Sequence, residues 1–360
     1  MPIVLSPRIF GVLPTGQRIE AWMLRGRGGL ELEILTYGGI VTRLFAPDHN
    51  GDRADVVLGF NDLESYLAGH PYFGSITGRV AGRIAGASFH LEGKNYTLAR
   101  NEPPNHLHGG IHGFDKKIWT ATPLEDPRGS SLRLAYRSQD GEEGYPGTVD
   151  VTVTYTVTED NVFVIETEAT TDRPTPFNLT HHSYFNLAGE SAGSITDHEL
   201  QVYADAFIPT DEHMTLLDRV ESVSGRNNDF RQPRRLAAAI PLLFHNHGDL
   251  YAIRKAVSNG AGRKPEPAAR LLHPRSGRVL EVSTTETHLQ FYTAAALDGS
   301  LRGKSGVPYG RYAAVCLECQ GYSNGANAPE LGNIILRPEH ASRQTTTYKF
   351  STIAGNGASS

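Results

Sequence analysis

The sequence predicts an all-β protein, a single large antiparallel sandwich with few short helices, and two observations carry this prediction. Its 38 glycines and 21 prolines are spread along all 360 residues, so turn residues recur between short apolar runs. The run Val149–Val157 alternates apolar and polar residues, which is the period of a half-buried antiparallel strand. Strands do not alternate with long helical patterns, and this argues against a parallel α/β sheet.

The remaining elements are predicted from apolar runs bounded by turn residues. The alternating run turns at Glu159–Asn161 and returns as Val162–Ala169, which predicts a hairpin. Further strands are predicted at Leu30–Thr36, Ile40–Phe45, Leu132–Tyr136, Val279–Val282, His288–Thr293, Ala313–Glu318 and Thr345–Phe350. Short helices are predicted at Asp62–Leu67 and Arg234–Ile240. We expect one domain over residues 1–355, with a surface excursion at Ser258–Pro267 and a frayed tail over residues 356–360.

Charge and composition exclude several classes of partner. The net charge is −5, from 34 basic and 39 acidic side chains without a long basic run, which argues against nucleic acid or an anionic membrane. No stretch approaches the roughly 18 consecutive apolar residues of a membrane-spanning helix. The start, MPIVLSPRIF, lacks the basic and long apolar regions of a signal peptide. We therefore expect a cytoplasmic protein.

The two cysteines form a C-x-x-C pattern within a predicted strand. Residues three apart on a strand point to opposite faces, so the sulfurs of Cys316 and Cys319 are expected neither to share a metal nor to form a disulfide. Glu318 shares its face with Cys316 and Ala314. A carboxylate among small apolar residues is unfavourable unless it has a partner or a chemical role.

Two histidine clusters stand out among the 15 histidines. His106 and His108 would share one face of a strand, which makes a metal site the first alternative. No carboxylate lies at a recognised ligand spacing beside them, so no metal is predicted. The glycines that follow, Gly109 and Gly110, indicate instead a backbone that a ligand approaches closely.

The second cluster, His181 and His182, lies in the segment Asn178–Leu187. Polar, aromatic and amide side chains interleave there. Such a mixture suits a polyhydroxylated ligand, whose hydroxyls need donors and acceptors and whose C–H faces pack on aromatic rings.

Seven segments resemble the aldose 1-epimerase family and occur in the family's order over roughly residues 8–350. They are Asp55–Phe60, Gly78–Ile84, Leu107–Gly110, Gly113–Lys116, the block around His182, Gln290–Thr293 and Leu317–Gln320. The resemblance implies the family's large antiparallel β-supersandwich, in agreement with the strand pattern. It also implies interconversion of the α and β anomers of a free hexose such as glucose or galactose.

The same resemblance implies roles for individual residues. Glu318 is the base that withdraws the proton of the anomeric hydroxyl, and His182 is the acid that protonates the ring oxygen. The positions that bind the sugar are Gly82, Arg83, His108, Ser183, Tyr184, Asp249 and Gln290. The reaction involves no redox step or group transfer, so no cofactor is expected. Burial lowers the pKa of an imidazole and a neighbouring carboxylate raises it, and the sequence leaves open which effect dominates at His182.

Two departures from the family pattern affect sugar binding. Gly82 stands where the family commonly has an asparagine, and Leu250-Tyr251 follows Asp249 where the family commonly has His-Asn. Two alternatives remain open. A hexose-6-phosphate 1-epimerase would need a basic cluster that Arg79 and Arg83 alone do not form. A non-catalytic sugar-binding protein would have no use for both members of the acid–base pair. We expect a small-molecule sugar as partner and a monomer or homodimer.

Overall fold

The computed structural model describes residues 6–254 and 264–353, and strands dominate both ranges. The strands are β1 (Arg8–Val12), β2 (Arg18–Arg25), β3 (Glu31–Leu35), β4 (Val41–Pro47), β5 (Arg53–Asp55), β6 (Ile76–Thr77), β7 (Arg83–Ile84), β8 (Ser88–Leu91), β9 (Lys94–Thr97), β10 (His106–Leu107), β11 (Thr120–Asp126), β12 (Gly129–Ser138), β13 (Val149–Thr158), β14 (Val162–Thr171), β15 (Thr175–Pro176), β16 (Thr180–His181), β17 (Tyr184–Phe185), β18 (Glu199–Val202), β19 (Ala204–Ile208), β20 (Glu221–Ser222), β21 (Arg234–Arg235), β22 (Leu250–Ile253), β23 (Glu266–Leu272), β24 (Arg278–Thr284), β25 (His288–Tyr292), β26 (Val315–Gln320), β27 (Ile335–Leu336) and β28 (Ser342–Thr352).

Helices are short, as predicted. The α-helices are α1 (Leu63–Leu67), capped by the Asp62 carboxylate that accepts from Ser65 N at 2.8 Å, and α2 (Leu236–Ala239). Single 3₁₀ turns occupy Ala85–Ala87, Phe114–Lys116, Glu142–Gly144, Ile240–Leu242 and Phe244–Asn246. The longest helix of the described residues has 5 residues, whereas a bilayer needs about 20, so none of them reaches across a membrane.

Three large antiparallel sheets make up the fold. A five-stranded sheet has the order β1-β2-β3-β4-β5, and a nine-stranded sheet has the order β11-β12-β13-β14-β28-β24-β23-β18-β21. A six-stranded sheet has the order β17-β26-β25-β22-β19-β20. Every predicted strand is present, so the all-β antiparallel prediction is confirmed. Of the predicted surface excursion, residues 258–263 lie outside the described residues, and Glu266 and Pro267 already belong to β23. The predicted tail also lies outside them.

The main hydrophobic core lies between these sheets. Its buried members come from all three of them, including Leu32 of β3, Phe163 of β14 and Leu289 of β25. At about 25 cal/mol per Å² of apolar surface, this shared burial is what joins the sheets. The strand faces that point away from this core meet other apolar clusters, a cavity or solvent.

Strand β26 illustrates that alternation. Leu317 and Cys319 pack in the main core, while Cys316 packs in a second apolar cluster on the opposite face. The two sulfurs do not form a disulfide, and the opposite orientation predicted for them is confirmed. Glu318 continues the face of Cys316, which brings a carboxylate to the side away from the main core.

Buried histidines predict loss of stability in acid. Burial lowers the pKa of His181 to about 3 and that of His288 to about 4, below the unfolded value of about 6.5. The unfolded chain then binds more protons than the folded chain below pH 6.5. The free energy of unfolding should therefore fall as the pH drops from about 6.5 toward 3, by up to about 1.4 kcal/mol per pH unit for each such histidine.

Urea unfolding at pH 7, 6 and 5 measures this slope. His181→Asn should make it shallower, and the exposed His90→Gln should leave it unchanged. A stability that is flat across this range would contradict the burial of neutral histidines.

Candidate active site

A cavity of about 380 Å³ lies over the six-stranded sheet, and most of the predicted site residues line it. Those that reach it are Gly82, Arg83, His108, His182, Tyr184, Asp249, Gln290 and Glu318. They come from six separate parts of the chain.

Strand register determines which side chains lie beside Glu318 in the cavity. Glu318 on β26 is directly opposite Gln290 on β25, so both side chains share one face. Leu250 at the start of β22 is opposite Gln290 in turn, and the carbonyl of Asp249 accepts from Phe291 N at 3.0 Å. Two neighbouring strands therefore present Glu318 and Gln290 on one face, and Asp249, just before β22, lines the same cavity.

His182 is held in one orientation by its backbone and by two aromatic rings. Its N–H donates to the carbonyl of Ser75 at 2.9 Å, and its carbonyl accepts from Gly74 N at 3.0 Å. The imidazole stacks between Tyr184, at a centroid distance of 5.0 Å, and Tyr72, at 6.0 Å. Its Nε2 lies 3.5 Å from Oε2 of Glu318. The imidazole and the carboxyl therefore lie side by side in the lining of the cavity.

Burial controls the protonation of this pair. It raises the pKa of Glu318 to about 8, against a lowering by Arg83, and it lowers the pKa of His182 to about 3. For His182, burial is the dominant effect, which answers the question that the sequence left open. Burial thus favours the uncharged form of both groups.

His108 is fixed in one tautomer by the backbone. It follows β10 with a φ of +51°, and its own N–H donates to Gly82 O at 3.0 Å. Its Nδ1 accepts from the N–H of Gly82 at 3.1 Å. Burial and the neighbouring His182 lower the pKa of His108, so the ring is neutral and its proton is on Nε2. His108 is therefore a hydrogen-bond donor at Nε2.

Arg83 is oriented by a carboxylate that the sequence did not suggest. Its Nε and Nη2 donate to the two oxygens of Glu102 at 2.5 and 2.7 Å, a bidentate arrangement. Of the described residues that line the cavity, Arg83 alone carries a permanent positive charge. Glu102 balances that charge and positions the guanidinium.

Asp249 is buried against a single amide donor. Asn228 Nδ2 donates to its Oδ2 at 2.9 Å, yet burial raises the pKa of Asp249 to about 6. Its side chain lines the cavity and is suited to accept from a ligand hydroxyl. Of the residues that replace the family's His-Asn, Leu250 lines the cavity and Tyr251 packs in the main core.

Some predicted site residues do not reach the cavity. Ser183 lies outside its lining, and the Ser183 hydroxyl is 2.7 Å from Nε2 of His181, which is itself buried below the site. The expected close approach of a ligand to the glycines after His108 is wrong. A β-carbon at Gly109 would lie 1.8 Å from Gly78 O, so the glycine allows two backbone segments to pack.

Sequence reasoning missed other lining residues, among them Tyr72, Glu102, His247, Tyr292 and Gln320. Gln320 is two residues after Glu318 on β26, so strand periodicity alone places it on the same face. Tyr292 follows from Gln290 in the same way. Tyr72, Glu102 and His247 lie in irregular segments, for which periodicity gives no signal.

One group of donors has the spacing of a metal site. Ligand atoms of His108, His182 and Glu318 lie within 4.8 Å of one another. Their chemistry does not fit, because Nε2 of His108 carries a proton while Nδ1 accepts from Gly82 N, and Glu318 retains its proton near neutral pH. His106, part of the metal alternative, is not a member of this group, and its Nδ1 is 2.7 Å from Ala99 O.

Comparisons with known proteins agree with the sequence resemblance. The family model described as aldose 1-epimerase matches residues 20–349. The chain is 41% identical over 352 residues to galactose mutarotase of Sus scrofa, covering 97% of this chain and 99% of that protein. It is 31% identical over 346 residues to aldose 1-epimerase of Escherichia coli K12, covering 94% and 96% of the two.

Solved structures give the same fold. An aldose epimerase homologue from C. elegans superposes with a TM-score of 0.84 at 29% identity, covering 92% of this chain and 98% of that one. Galactose 1-epimerase from Lactobacillus acidophilus gives 0.83 at 23% identity, covering 98% and 99%. The supersandwich implied by the resemblance is confirmed.

The tautomer of His108 predicts that zinc does not occupy the cavity. Titration of zinc chloride into the protein near pH 7 should give no stoichiometric heat in a calorimeter, because binding must displace protons from two ligands. One equivalent of tightly bound zinc that is lost in His108→Ala would contradict this prediction.

Proposed function

The chain belongs to the aldose 1-epimerase family, and we propose that Glu318 and His182 are the base and the acid with which it interconverts the α and β anomers of a free hexose. The activity is an isomerisation without redox or group transfer. The observation that carries the residue assignment is the 3.5 Å separation of a buried carboxyl and a buried imidazole at the wall of one cavity. The ring opening needs these two kinds of group.

In the proposed reaction, every proton returns to its starting group. The Glu318 carboxylate takes the proton of the anomeric hydroxyl, the electron pair left on that oxygen forms the C1 carbonyl, and the bond from C1 to the ring oxygen breaks. Protonated His182 gives its proton to the departing ring oxygen. Rotation about C1–C2 exposes the other carbonyl face. On closure His182 recovers its proton and Glu318 returns its own to the former carbonyl oxygen.

The single proton of the pair is sufficient for this cycle. Its transfer from Glu318 to His182 converts the resting pair into a carboxylate and an imidazolium without exchange with solvent. The positive charge of Arg83 lowers the pKa of Glu318, and sugar hydroxyls that donate to the carboxylate act in the same direction. Binding of the sugar therefore favours the reactive arrangement.

The remaining polar groups are proposed to hold the sugar. His108 donates from Nε2, Asp249 accepts, and Arg83 and Gln290 offer further polar groups from the lining. The ring of Tyr184 stacks on the imidazole of His182 and so supports the proposed acid, whereas Ser183 contacts His181 and not the sugar. Glu102 is proposed as a positioning residue for Arg83.

The charge of the cavity favours a neutral sugar over a hexose 6-phosphate. Arg83 is already paired with Glu102, and Asp249 and Glu318 add two further acidic groups. A phosphate dianion would meet no unpaired cation among the described lining residues. A non-catalytic binding protein would gain nothing from an acid and a base held at 3.5 Å.

Polarimetry tests the activity directly. Fresh α-D-glucose, α-D-galactose and glucose 6-phosphate should be followed with and without the protein. We expect faster mutarotation of at least one free hexose and a much smaller effect on the phosphosugar. Selective acceleration of the phosphosugar would instead support the alternative.

Other interpretations remain predictions from the sequence. They are a single domain over residues 1–355, a cytoplasmic location, a monomer or homodimer, and the absence of nucleic-acid and membrane partners. Size-exclusion chromatography with light scattering decides the oligomeric state.

Glu318→Gln should lower turnover by roughly 10²–10⁴-fold, because the amide keeps the shape of the side chain but cannot accept the anomeric proton. Affinity for the sugar should stay within about tenfold. The exposed Glu281→Gln on β24 is the matched control and should leave turnover unchanged. Near-normal turnover of Glu318→Gln would assign the base to another group.

The pH profile should follow the shared proton. The rate should hold from about pH 4 to 7 and fall above about pH 8, since above the raised pKa of Glu318 the pair has no proton for the ring oxygen. His182→Asn should lose roughly 10²–10⁴-fold, and the upper limb with it. His181→Asn should keep both, because His181 bonds Ser183 below the cavity. An inactive His181→Asn beside an active His182→Asn would overturn the assignment.

A further inference from the structure

Gln320 has a buried carboxamide that the protein does not fully satisfy. The residue is 2% exposed and lines the cavity, and its Oε1 has no hydrogen-bond partner among the described residues. Such a polar atom is rare in a folded interior and calls for an explanation. A partner supplied by a ligand is the simplest one, because the side chain lies at the edge of the sugar cavity.

The neighbouring backbone explains why this amide is available. Gly82 has a φ of +75°, and a β-carbon there would lie 2.6 Å from Cβ of Ser323 and 3.2 Å from Nε2 of Gln320. A side chain at position 82 would therefore have to displace Ser323. Gln320 and Ser323 therefore fill the space that the asparagine side chain common in the family would occupy at position 82.

We propose that the carboxamide of Gln320 hydrogen-bonds a hydroxyl of the bound sugar other than the anomeric one, replacing the ligand that Gly82 cannot supply. This assignment rests on the proposed function of the cavity. The amide offers both a donor and an acceptor, so it can engage a hydroxyl of either orientation.

Strand geometry places this contact away from the reacting atoms. Gln320 lies two residues beyond Glu318 on β26, so its backbone is about 7 Å from that of the base on the same face. Glu318 acts at O1, so the amide meets the sugar further around the ring. Gln320 therefore contributes to binding and to the choice of sugar, not to proton transfer.

The test removes the amide and the hydroxyl separately and together. Gln320→Met keeps the length of the side chain without its polar end. With the sugar that wild type turns over best, we expect KM to rise about tenfold, or about 1.4 kcal/mol, with kcat within about twofold. The 2-, 3-, 4- and 6-deoxy forms of that sugar are then compared in both proteins. For one of them the effect of the substitution should shrink to about twofold or less, which identifies the hydroxyl.

Controls separate binding from folding and from the proposed function. Gln201→Met on β18, whose amide donates to Arg231 O outside the cavity, should leave KM unchanged. If the methionine variant does not fold, Gln320→Asn replaces it, because this change withdraws the amide by one methylene. Its effect on KM should likewise shrink for the same deoxy sugar. Equal KM values in wild type and both Gln320 variants, or the same loss for every deoxy sugar, would overturn this inference. Absence of mutarotation in the wild type would instead overturn the proposed function.

Discussion

The buried carboxyl of Glu318 lies 3.5 Å from the buried imidazole of His182, and this contact is the constraint on which the proposed chemistry depends. Burial disfavours the charged form of both groups, so it raises one pKa and lowers the other. In the proposed reaction the pair becomes ionic, and the positive charge of Arg83 and the hydroxyls of the sugar would stabilise the carboxylate.

The antiparallel scaffold fixes the distance between Glu318 and His182. Strand β26 lies between β17 and β25 in the six-stranded sheet, so its position is fixed on both sides. One face of it packs in the main core, which leaves Glu318 no freedom to turn away. His182 comes from a different segment and is held by backbone hydrogen bonds and by stacking between two tyrosines. These neighbours hold the imidazole and the carboxyl in a fixed relative position, which is the preorganisation that the proposed acid–base chemistry needs.

Other polar side chains of the cavity already hydrogen-bond to the protein with part of their donors or acceptors. Arg83 is held by Glu102, Asp249 by Asn228, and His108 by the backbone of Gly82. Each presents a defined donor or acceptor to a ligand instead of a mobile charge. Such preorganisation lowers the ordering cost of binding a small polar molecule. Gln320 differs from these three groups, since its amide oxygen has no protein partner among the described residues.

The sequence by itself determined the all-β class, the strands predicted from its apolar runs, and the orientation of Cys316 and Glu318 on the face opposite to that of Cys319. These follow from local periodicity, which depends only on backbone geometry. It could not determine that Ser183 turns to His181, that Glu102 orients Arg83, or that Gly109 packs on Gly78. Only the tertiary structure decided these contacts, together with the two shifted pKa values, because each depends on segments far apart in the chain and on how completely the sheets exclude water.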